Sequence, residues 1–114
     1  MWRDDAYLLD ILIAARKVSR YVENASWDLF RQDDRTQDAV LRNLQIIGEA
    51  ARRISEEFQR DHAEIPWDEI RGMRNRLVHE YSRINLDKIW ETVSDDIPVL
   101  IRQIEPLVPP EEDV

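Results

Sequence analysis

Apolar residues recur at three- and four-residue steps along most of the chain, which is the period of an amphipathic α-helix. The first such stripe predicts helix one over about Asp4 to Val22, with two acids where the helix dipole favours negative charge. Its apolar positions are Leu8, Ile11, Leu12, Ala15, Val18 and Val22. In the connection that follows, Ser26 is placed to cap a short helical turn that carries Trp27, Leu29 and Phe30.

The next stripe is longer and predicts helix two over about Asp34 to Gln59. Its apolar positions are Val40, Leu44, Ile47, Ala51, Ile54 and Phe58. Gly48 lies inside this stripe, where a glycine costs about 1 kcal/mol relative to alanine. Because Gly48 neighbours two alanines, we expect another helix to approach the backbone closely here, with tolerated sequence noise as the bland alternative.

The second half of the chain predicts two further helices. Pro66, followed by Trp67 and two acids, is typical of a helix start, and the pattern carries helix three from there toward Tyr81. Asn85 is placed to cap helix four. That helix should be kinked or restarted at Pro98, because proline has no amide hydrogen to donate.

These stretches predict an all-α fold, an up-and-down bundle of four main helices plus a short extra helix or turn. The chain has 114 residues, the usual size of one domain, and we place that helical domain at residues 1–108. Prolines end the last helix, and we expect residues 109–114 to be a disordered acidic tail.

Charge and composition narrow the possible functions. The net charge of −8 argues against general electrostatic binding of nucleic acid, which needs a basic face. The chain has no cysteine, which excludes disulfides and thiolate metal sites.

The first residues do not resemble a signal peptide, and the most apolar stretch, Tyr7 to Ala15, is too short to span a bilayer. We therefore expect a cytoplasmic protein that does not enter a membrane.

The groups with chemical potential concentrate in one octapeptide, Arg74 to Tyr81, which holds one of the 2 histidines. Its cations, amide, imidazole and phenol can bind a phosphate, transfer a proton near neutral pH and offer a hydroxyl for modification. On a continuous helix, Asn75 and His79 would lie one turn apart, whereas Arg74 would be rotated from His79 by about 140°. One such helix would not aim Arg74 and His79 at one point.

Each candidate residue also has a purely structural interpretation. A histidine near a helix end can satisfy the last carbonyls, and helical arginines usually form a solvated face. Glu49 either contacts the arginines of helix three or is a simple surface carboxylate. The four tryptophans are expected in the core or in dimer contacts. Three pairs of adjacent acids lie on predicted helices or at their ends. Adjacent side chains on a helix are rotated from each other by about 100°, so the two carboxylates of a pair do not converge on one metal ion. Helix caps and solvated faces are therefore the favoured interpretation. The pairs are Asp33-Asp34, Glu56-Glu57 and Asp95-Asp96.

The octapeptide resembles the R-x4-H-x-Y signature of HEPN-domain ribonuclease toxins of the HepT-like type, with Arg74, His79 and Tyr81 at the matching positions. Further stretches resemble the family in order along the chain, so the resemblance covers nearly all of it except the tail. These stretches are residues 36–40, 46–50, 65–67 and 90–93. The resemblance implies a HEPN-like, all-helical, two-fold homodimer that cleaves RNA without a metal or other cofactor.

The same resemblance implies a partner. In this family a minimal nucleotidyltransferase antitoxin is encoded alongside the toxin and can inactivate it by attaching AMP to the motif tyrosine, which here is Tyr81. The expected function is therefore an endoribonuclease toxin with a cognate nucleotidyltransferase. The alternatives are a non-catalytic HEPN module that only binds this partner and a helical scaffold whose octapeptide caps a helix. The intact motif favours the enzyme, because a binding module has no chemical need for it.

The residues fit metal-free RNA cleavage, in which the ribose 2′-hydroxyl is the nucleophile. This reaction needs a base, an acid and cations for the transition state. His79 can be the base or the acid and Arg74 can hold the phosphate, with Asn75, Arg76 and Arg71 as supporting contacts to RNA. Each chain supplies a single motif histidine, so we hypothesise a composite catalytic site across a homodimer.

The local charge makes RNA binding feasible. From Arg71 to Arg83 there are four arginines against one acid, Glu80, inside a chain of net charge −8. A dimer would double this basic patch, and affinity for RNA should then fall with salt.

Overall fold

The helices of the predicted bundle are present, with several ends at other residues than the sequence suggests. The structure is a computed structural model that describes residues 2–79 and 83–110, with backbone only for Trp2, Arg74, Arg76, Val78, His79, Arg83 and Ile84. Its helices and strands are α1 (Trp2–Tyr21), α2 (Trp27–Phe30), α3 (Asp34–Arg53), α4 (Glu56–Asp61), α5 (Trp67–Arg71), α6 (Met73–Leu77), β1 (Val78–His79), β2 (Arg83–Ile84), α7 (Leu86–Glu91) and α8 (Ile97–Ile104).

Among the described residues, four main helical units form the bundle, which confirms the all-α prediction. They are α1, α3, the pair α5–α6 and the pair α7–α8, while α2 and α4 are short additions. The two strands are only two residues each and pair antiparallel, so they form a small hairpin on a helical protein.

The longest helices, α1 and α3, make the most extensive contact in the fold. Asp4 at the start of α1 is hydrogen-bonded to Ser55 just beyond the end of α3, so the two helices run antiparallel, as in the predicted up-and-down bundle. Their apolar stripes meet in the core, where burying one large aliphatic side chain contributes roughly 1.5–3 kcal/mol. The fully buried side chains of this seam are Leu8, Ile11, Ala15, Val18, Val40, Leu44, Ile47 and Ala51.

Helix two does not run to Gln59, so that boundary was wrong. α3 ends at Arg53, Ile54 adopts an extended conformation, and Ser55 starts α4 by accepting a hydrogen bond from the Phe58 amide at 3.2 Å. The buried Asp4 carboxylate accepts hydrogen bonds from the amide and the hydroxyl of Ser55, each at 2.8 Å. This contact from α1 engages an amide that a continuing helix would use, so tertiary structure ends α3.

The predicted caps are confirmed. Ser26 accepts a hydrogen bond from the Leu29 amide at the start of α2, and Asn85 accepts one from the Lys88 amide at the start of α7. Phe30 at the end of α2 is buried and packs on the Trp90 ring, with 5.1 Å between ring centroids. The predicted short helix thus contributes Phe30 to the core.

Pro98 acts as the sequence suggests. A π-helical segment, Thr92–Asp96, separates α7 from α8, and the Ile97 amide donates to the Thr92 carbonyl five residues back. Pro98 has no amide hydrogen, so the regular hydrogen-bond register is changed before it and α8 restarts at Ile97.

Two expectations concern a membrane span and the C-terminal end of the domain. Within the described ranges, no helix combines the length and apolar content that crossing a bilayer requires. The domain boundary at residue 108 stays a prediction, and residues 111–114 of the expected acidic tail lie outside the described residues.

Candidate functional site

The octapeptide does not lie on one helix, which corrects the prediction that helix three continues to Tyr81. α5 ends at Arg71, Gly72 interrupts the helix, and α6 ends at Leu77. His79 then lies on β1, opposite Arg83 on β2. The expectation that Asn75 and His79 lie one helical turn apart is therefore wrong.

A tertiary hydrogen bond accompanies the end of α6. The Leu77 carbonyl oxygen accepts a hydrogen bond from the amide of Asn85 at 2.9 Å. Asn85 is also the residue that caps α7. Leu77 itself is buried in the core. The chain therefore turns back on itself between Leu77 and Asn85, and Val78 and His79 of the octapeptide follow directly after α6.

The described motif residues lie on two neighbouring elements. Arg74 and Arg76 lie on α6, and His79 lies on β1. Tyr81, the predicted modification site, lies outside the described residues, as does Glu80. A helix and a hairpin strand thus each carry one of the two predicted catalytic residues.

A close helix contact positions the start of the octapeptide. A Cβ atom on Gly48 would lie 3.3 Å from the Ile70 carbonyl oxygen and 3.5 Å from that of Arg71. The absence of a side chain at Gly48 lets the backbone of α5 approach α3 closely, as predicted from its small neighbours. α3 therefore forms a wall beside α5 and α6.

A polar cavity lies along this wall, and we call it the α3–α6 cavity. Its volume is about 360 Å³. It brings together two of the predicted supporting residues, Arg71 and Asn75, with residues of α3. The described residues that line it are Gln45, Gly48, Glu49, Arg52, Arg71 and Asn75. The ion pair described for Glu49 runs to Arg52 of its own helix, at 3.6 Å, and both side chains are exposed.

The guanidinium of Arg71 is held by neighbouring side chains. It donates hydrogen bonds to the Gln59 amide oxygen on α4 and to the Asp68 carboxylate on α5. Its side chain is 31% exposed, and Asp68 neutralises part of its charge. A phosphate at Arg71 would therefore meet a fixed but partly compensated cation.

The second histidine, His62, contacts neighbouring side chains and backbone of the fold. The His62 ring stacks on Phe58 with 4.1 Å between centroids, and its Nδ1 atom lies 3.1 Å from the Phe58 carbonyl oxygen. The buried Trp67 donates its indole N–H to the His62 carbonyl at 3.0 Å. The remaining described tryptophan rings, Trp27 and Trp90, pack against each other and are partly buried against the core, which fits the expected core or dimer contacts.

The paired acids do not converge on a cation site. In residues 2–79 and 83–110, no group of three or more His, Cys, Asp or Glu side chains could hold a metal ion. Asp33 instead caps α3 and accepts hydrogen bonds from the Thr36 hydroxyl at 2.6 Å and from the Thr36 amide at 3.1 Å. These bonds stabilise the carboxylate, led by that of the hydroxyl, and lower the pKa of Asp33 below its ordinary 3.8.

Sequence reasoning missed Gln45 and Arg52 as neighbours of the octapeptide. The signal was present, because Gln45, Gly48, Glu49 and Arg52 follow at three- and four-residue steps and so share one face of α3. Gly48 marked the side of that face on which another helix packs.

Comparison with known proteins gives a consistent set of relatives. A family model described as ribonuclease HepT-like matches residues 11–107. A protein of Thermococcus cleftensis named as a probable ribonuclease HepT is 41% identical, over 89% of this chain and 92% of the relative. A protein of Caldanaerobacter subterraneus named as a candidate RNase is 38% identical, over 93% and 95%. Another so named, from Methanocaldococcus jannaschii, is 34% identical, over 90% and 85%. No solved structure gives a significant match.

Proposed function

Since the chain belongs to the HepT-like ribonuclease family, we propose that it cleaves RNA as a metal-independent endoribonuclease. The observation that carries the proposal is the family match over residues 11–107 together with Arg74, His79 and Tyr81 standing intact in this sequence. The names of the relatives, all of them ribonucleases or candidate ribonucleases, support the reaction class.

In the proposed reaction, the imidazole of one His79 removes the proton of a ribose 2′-hydroxyl. The 2′-oxygen then attacks the adjacent phosphorus, and the bond from phosphorus to the 5′-oxygen breaks. A protonated His79 from a second chain donates the proton that the leaving 5′-oxygen requires. The products are a 2′,3′-cyclic phosphate and a 5′-hydroxyl, so no water or metal enters this step.

The guanidinium of Arg74 would bind the non-bridging phosphate oxygens, where charge accumulates in the transition state. Asn75, Arg76 and Arg71 would supply further hydrogen bonds to the RNA. Asn75 and Arg71 support this role by lining the same cavity, and Arg71 is already oriented by Gln59 and Asp68.

The composite site across a homodimer remains part of the proposal for one reason only. Each chain has a single motif histidine, whereas the reaction uses a base and an acid. The expected poor alignment of Arg74 and His79 along one continuous helix gives no second reason, because α6 ends at Leu77.

The proposal also includes control by a cognate nucleotidyltransferase antitoxin. The phenol oxygen of Tyr81 would attack the α-phosphorus of ATP, its proton would pass to solvent or a base, and pyrophosphate would leave. An AMP group there adds bulk and negative charge two residues from His79, where an RNA phosphate must bind. A cytoplasmic location goes with this role, since cellular RNA and ATP are present there.

The central experiment compares His79→Ala with wild type and uses His62→Gln as the matched control, because these are the 2 histidines of the chain. We expect His79→Ala to abolish RNA cleavage and growth arrest while the helical circular dichroism and dimer mass stay unchanged. His62→Gln should retain cleavage, and EDTA should leave wild-type cleavage unaltered. Full cleavage by His79→Ala would refute the catalytic assignment.

The modification is tested separately by incubating the chain with the nucleotidyltransferase and ATP, followed by peptide mass mapping. AMP is expected on Tyr81 and absent from Tyr81→Phe. AMP on a different residue would contradict this part of the proposal. If wild type binds the nucleotidyltransferase but neither cleaves RNA nor arrests growth, the chain is the non-catalytic module instead.

A further inference from the structure

The structure contains a second cavity next to the α3–α6 cavity, and we call it the α1–α3 cavity. Its volume is about 310 Å³. It shares Gln45 and Glu49 with the α3–α6 cavity, so these two side chains form a common wall. Besides Ala50, the residues that belong to it alone are Tyr7, Asp10, Arg42, Ile46 and Arg53.

We propose that these two cavities form one binding track for single-stranded RNA, which extends from the octapeptide along α3. We call it the α3 track. It begins at Asn75, the octapeptide residue that lines the α3–α6 cavity. It crosses the shared wall of Gln45 and Glu49 into the α1–α3 cavity, which Arg42 and Arg53 line. This inference rests on the proposed RNA cleavage and adds where the substrate lies beyond the cleaved bond.

The geometry of α3 supports a continuous track. On its α1–α3 side the track extends along α3 from Arg42 to Arg53, a rise of about 16 Å at ~1.5 Å per residue, which is a length of a few nucleotides. Gln45 and Glu49 lie one turn apart between these ends. Each cavity has a volume in the range of small-ligand sites, roughly 300–1,000 Å³, so each is large enough for a nucleotide.

The charge of the track is opposite to that of the chain. Four arginines line it, Arg42 and Arg53 in the α1–α3 cavity and Arg52 and Arg71 in the α3–α6 cavity. The acids lining it are Asp10 and Glu49, and Asp68 outside the track pairs with Arg71, which leaves a surplus of one to two positive charges in a chain of net charge −8. A polyanion is therefore attracted to this face against an otherwise repulsive molecule.

The cations of the track are accessible. Arg42, Arg52 and Arg53 are all exposed on the surface of α3. Arg52 pairs with Glu49 at 3.6 Å, but exposed pairs of this kind contribute only about 0–1 kcal/mol, so a phosphate can displace the carboxylate. Three arginines are thus available to follow the RNA backbone.

Neutral groups along the track suit unpaired bases. Tyr7 lines the α1–α3 cavity beside Ile46, whose side chain is 37% exposed, and an aromatic ring with an apolar neighbour is a platform for base stacking. The amides of Gln45 and Asn75 offer both donors and acceptors to base edges, which are accessible in single strands and concealed in duplex RNA. The track therefore fits single-stranded RNA.

The test measures binding without cleavage. A His79→Ala chain is titrated with a single-stranded RNA of about 12 nucleotides, 2′-O-methylated to remove the nucleophile, and anisotropy is followed from low to high salt. Arg42→Ala/Arg53→Ala is compared with Arg20→Ala/Arg102→Ala, a control pair that also removes two exposed arginines but lies outside the track.

If both track arginines contact phosphates, the slope of log K against log salt should become shallower by about 1.4, at ~0.7 per contact with a single strand. The control pair should leave the slope as it is. Equal slopes for the two pairs would overturn the track. A changed oligomeric mass in the Arg42→Ala/Arg53→Ala variant, measured without RNA, would also overturn it, because the face would then bind a second copy of the chain.

The outcomes separate this inference from the proposed function. Loss of cleavage in His79→Ala with an unchanged salt slope for the track variant would retain the catalytic assignment and reject the track. The reverse result, a shallower slope together with full cleavage by His79→Ala, would retain the track and reject the catalytic role of His79.

Discussion

Replacing Gly48 by alanine tests the contact that holds α5 and the start of the octapeptide against α3. The added methyl group would lie 3.3 Å from the Ile70 carbonyl oxygen and 3.5 Å from that of Arg71. Both oxygens belong to the backbone at the end of α5, so they recede only if the end of that helix moves. We expect the substitution to destabilise the fold although alanine favours helix.

Two opposing terms determine the magnitude. In an unhindered helix, glycine to alanine stabilises by about 1 kcal/mol. An extra methyl in a tightly packed contact costs about 1–3 kcal/mol, so Gly48→Ala should lower the free energy of unfolding by about 1 kcal/mol. For a domain of this size that is a fall in Tm of about 4 °C. Gly48→Val adds two further methyl groups and should cost more than Gly48→Ala.

Gly72→Ala is the matched control. A Cβ atom at Gly72 would lie 3.4 Å from the Asp68 carbonyl oxygen, an ordinary contact, and its φ of −89° is accessible to alanine. We expect Gly72→Ala to stabilise the fold by about 0.4–1 kcal/mol, because it restricts the unfolded chain. Urea denaturation followed by helical circular dichroism measures all three variants.

The comparison with the control decides the outcome. If Gly48→Ala stabilises the protein as much as Gly72→Ala does, the close contact between α3 and α5 is not present in solution. The loss of stability should be accompanied by reduced RNA cleavage, since Arg71 and Asn75 move with α5 and α6.

Two further predictions concern carboxylates. Asp4→Ala leaves the Ser55 amide without its partner in a partly buried site, so the free energy of unfolding should fall by about 1–3 kcal/mol in urea denaturation. Asp5→Ala, in the same helical turn, is its control, and an equal loss there would contradict the role of the hydrogen bonds. For Asp33, the lowered pKa means that its contribution to stability is fully present above the ordinary pKa of 3.8 and is lost as pH falls through the lowered value. Thr36→Val removes the hydroxyl donor and should move the pKa of Asp33 back upward in a carboxyl NMR titration; an unmoved pKa would refute the stated cause.

Local signals in the sequence were sufficient for the parts of the fold that depend on neighbours along the chain. The apolar stripes predicted the helices, and Ser26 and Asn85 were identified as caps because a cap bonds an amide only three residues away. Gly48 predicted a close helix contact because glycine inside a helix is unfavourable unless the space is needed.

The errors lie where contacts between distant residues end a helix. Just beyond the end of α3, the Ser55 amide donates a hydrogen bond to Asp4, which lies 51 residues earlier in the chain. At the end of α6, the Leu77 carbonyl accepts a hydrogen bond from the Asn85 amide. In both places the apolar period continues beyond the observed end, so periodicity alone extended the helices too far.

The sequence by itself determined that the chain is an all-α bundle and where its unusual chemistry is concentrated, because helical period, caps and residue types are local properties. Only the tertiary structure decided that the octapeptide divides between α6 and a hairpin strand, and that Arg71 and Asn75 share a cavity with Gln45 and Arg52 of α3. The physical reason is that these arrangements depend on which backbones touch, and the contacts at Gly48, Ser55 and Leu77 join parts of the chain that no local pattern connects.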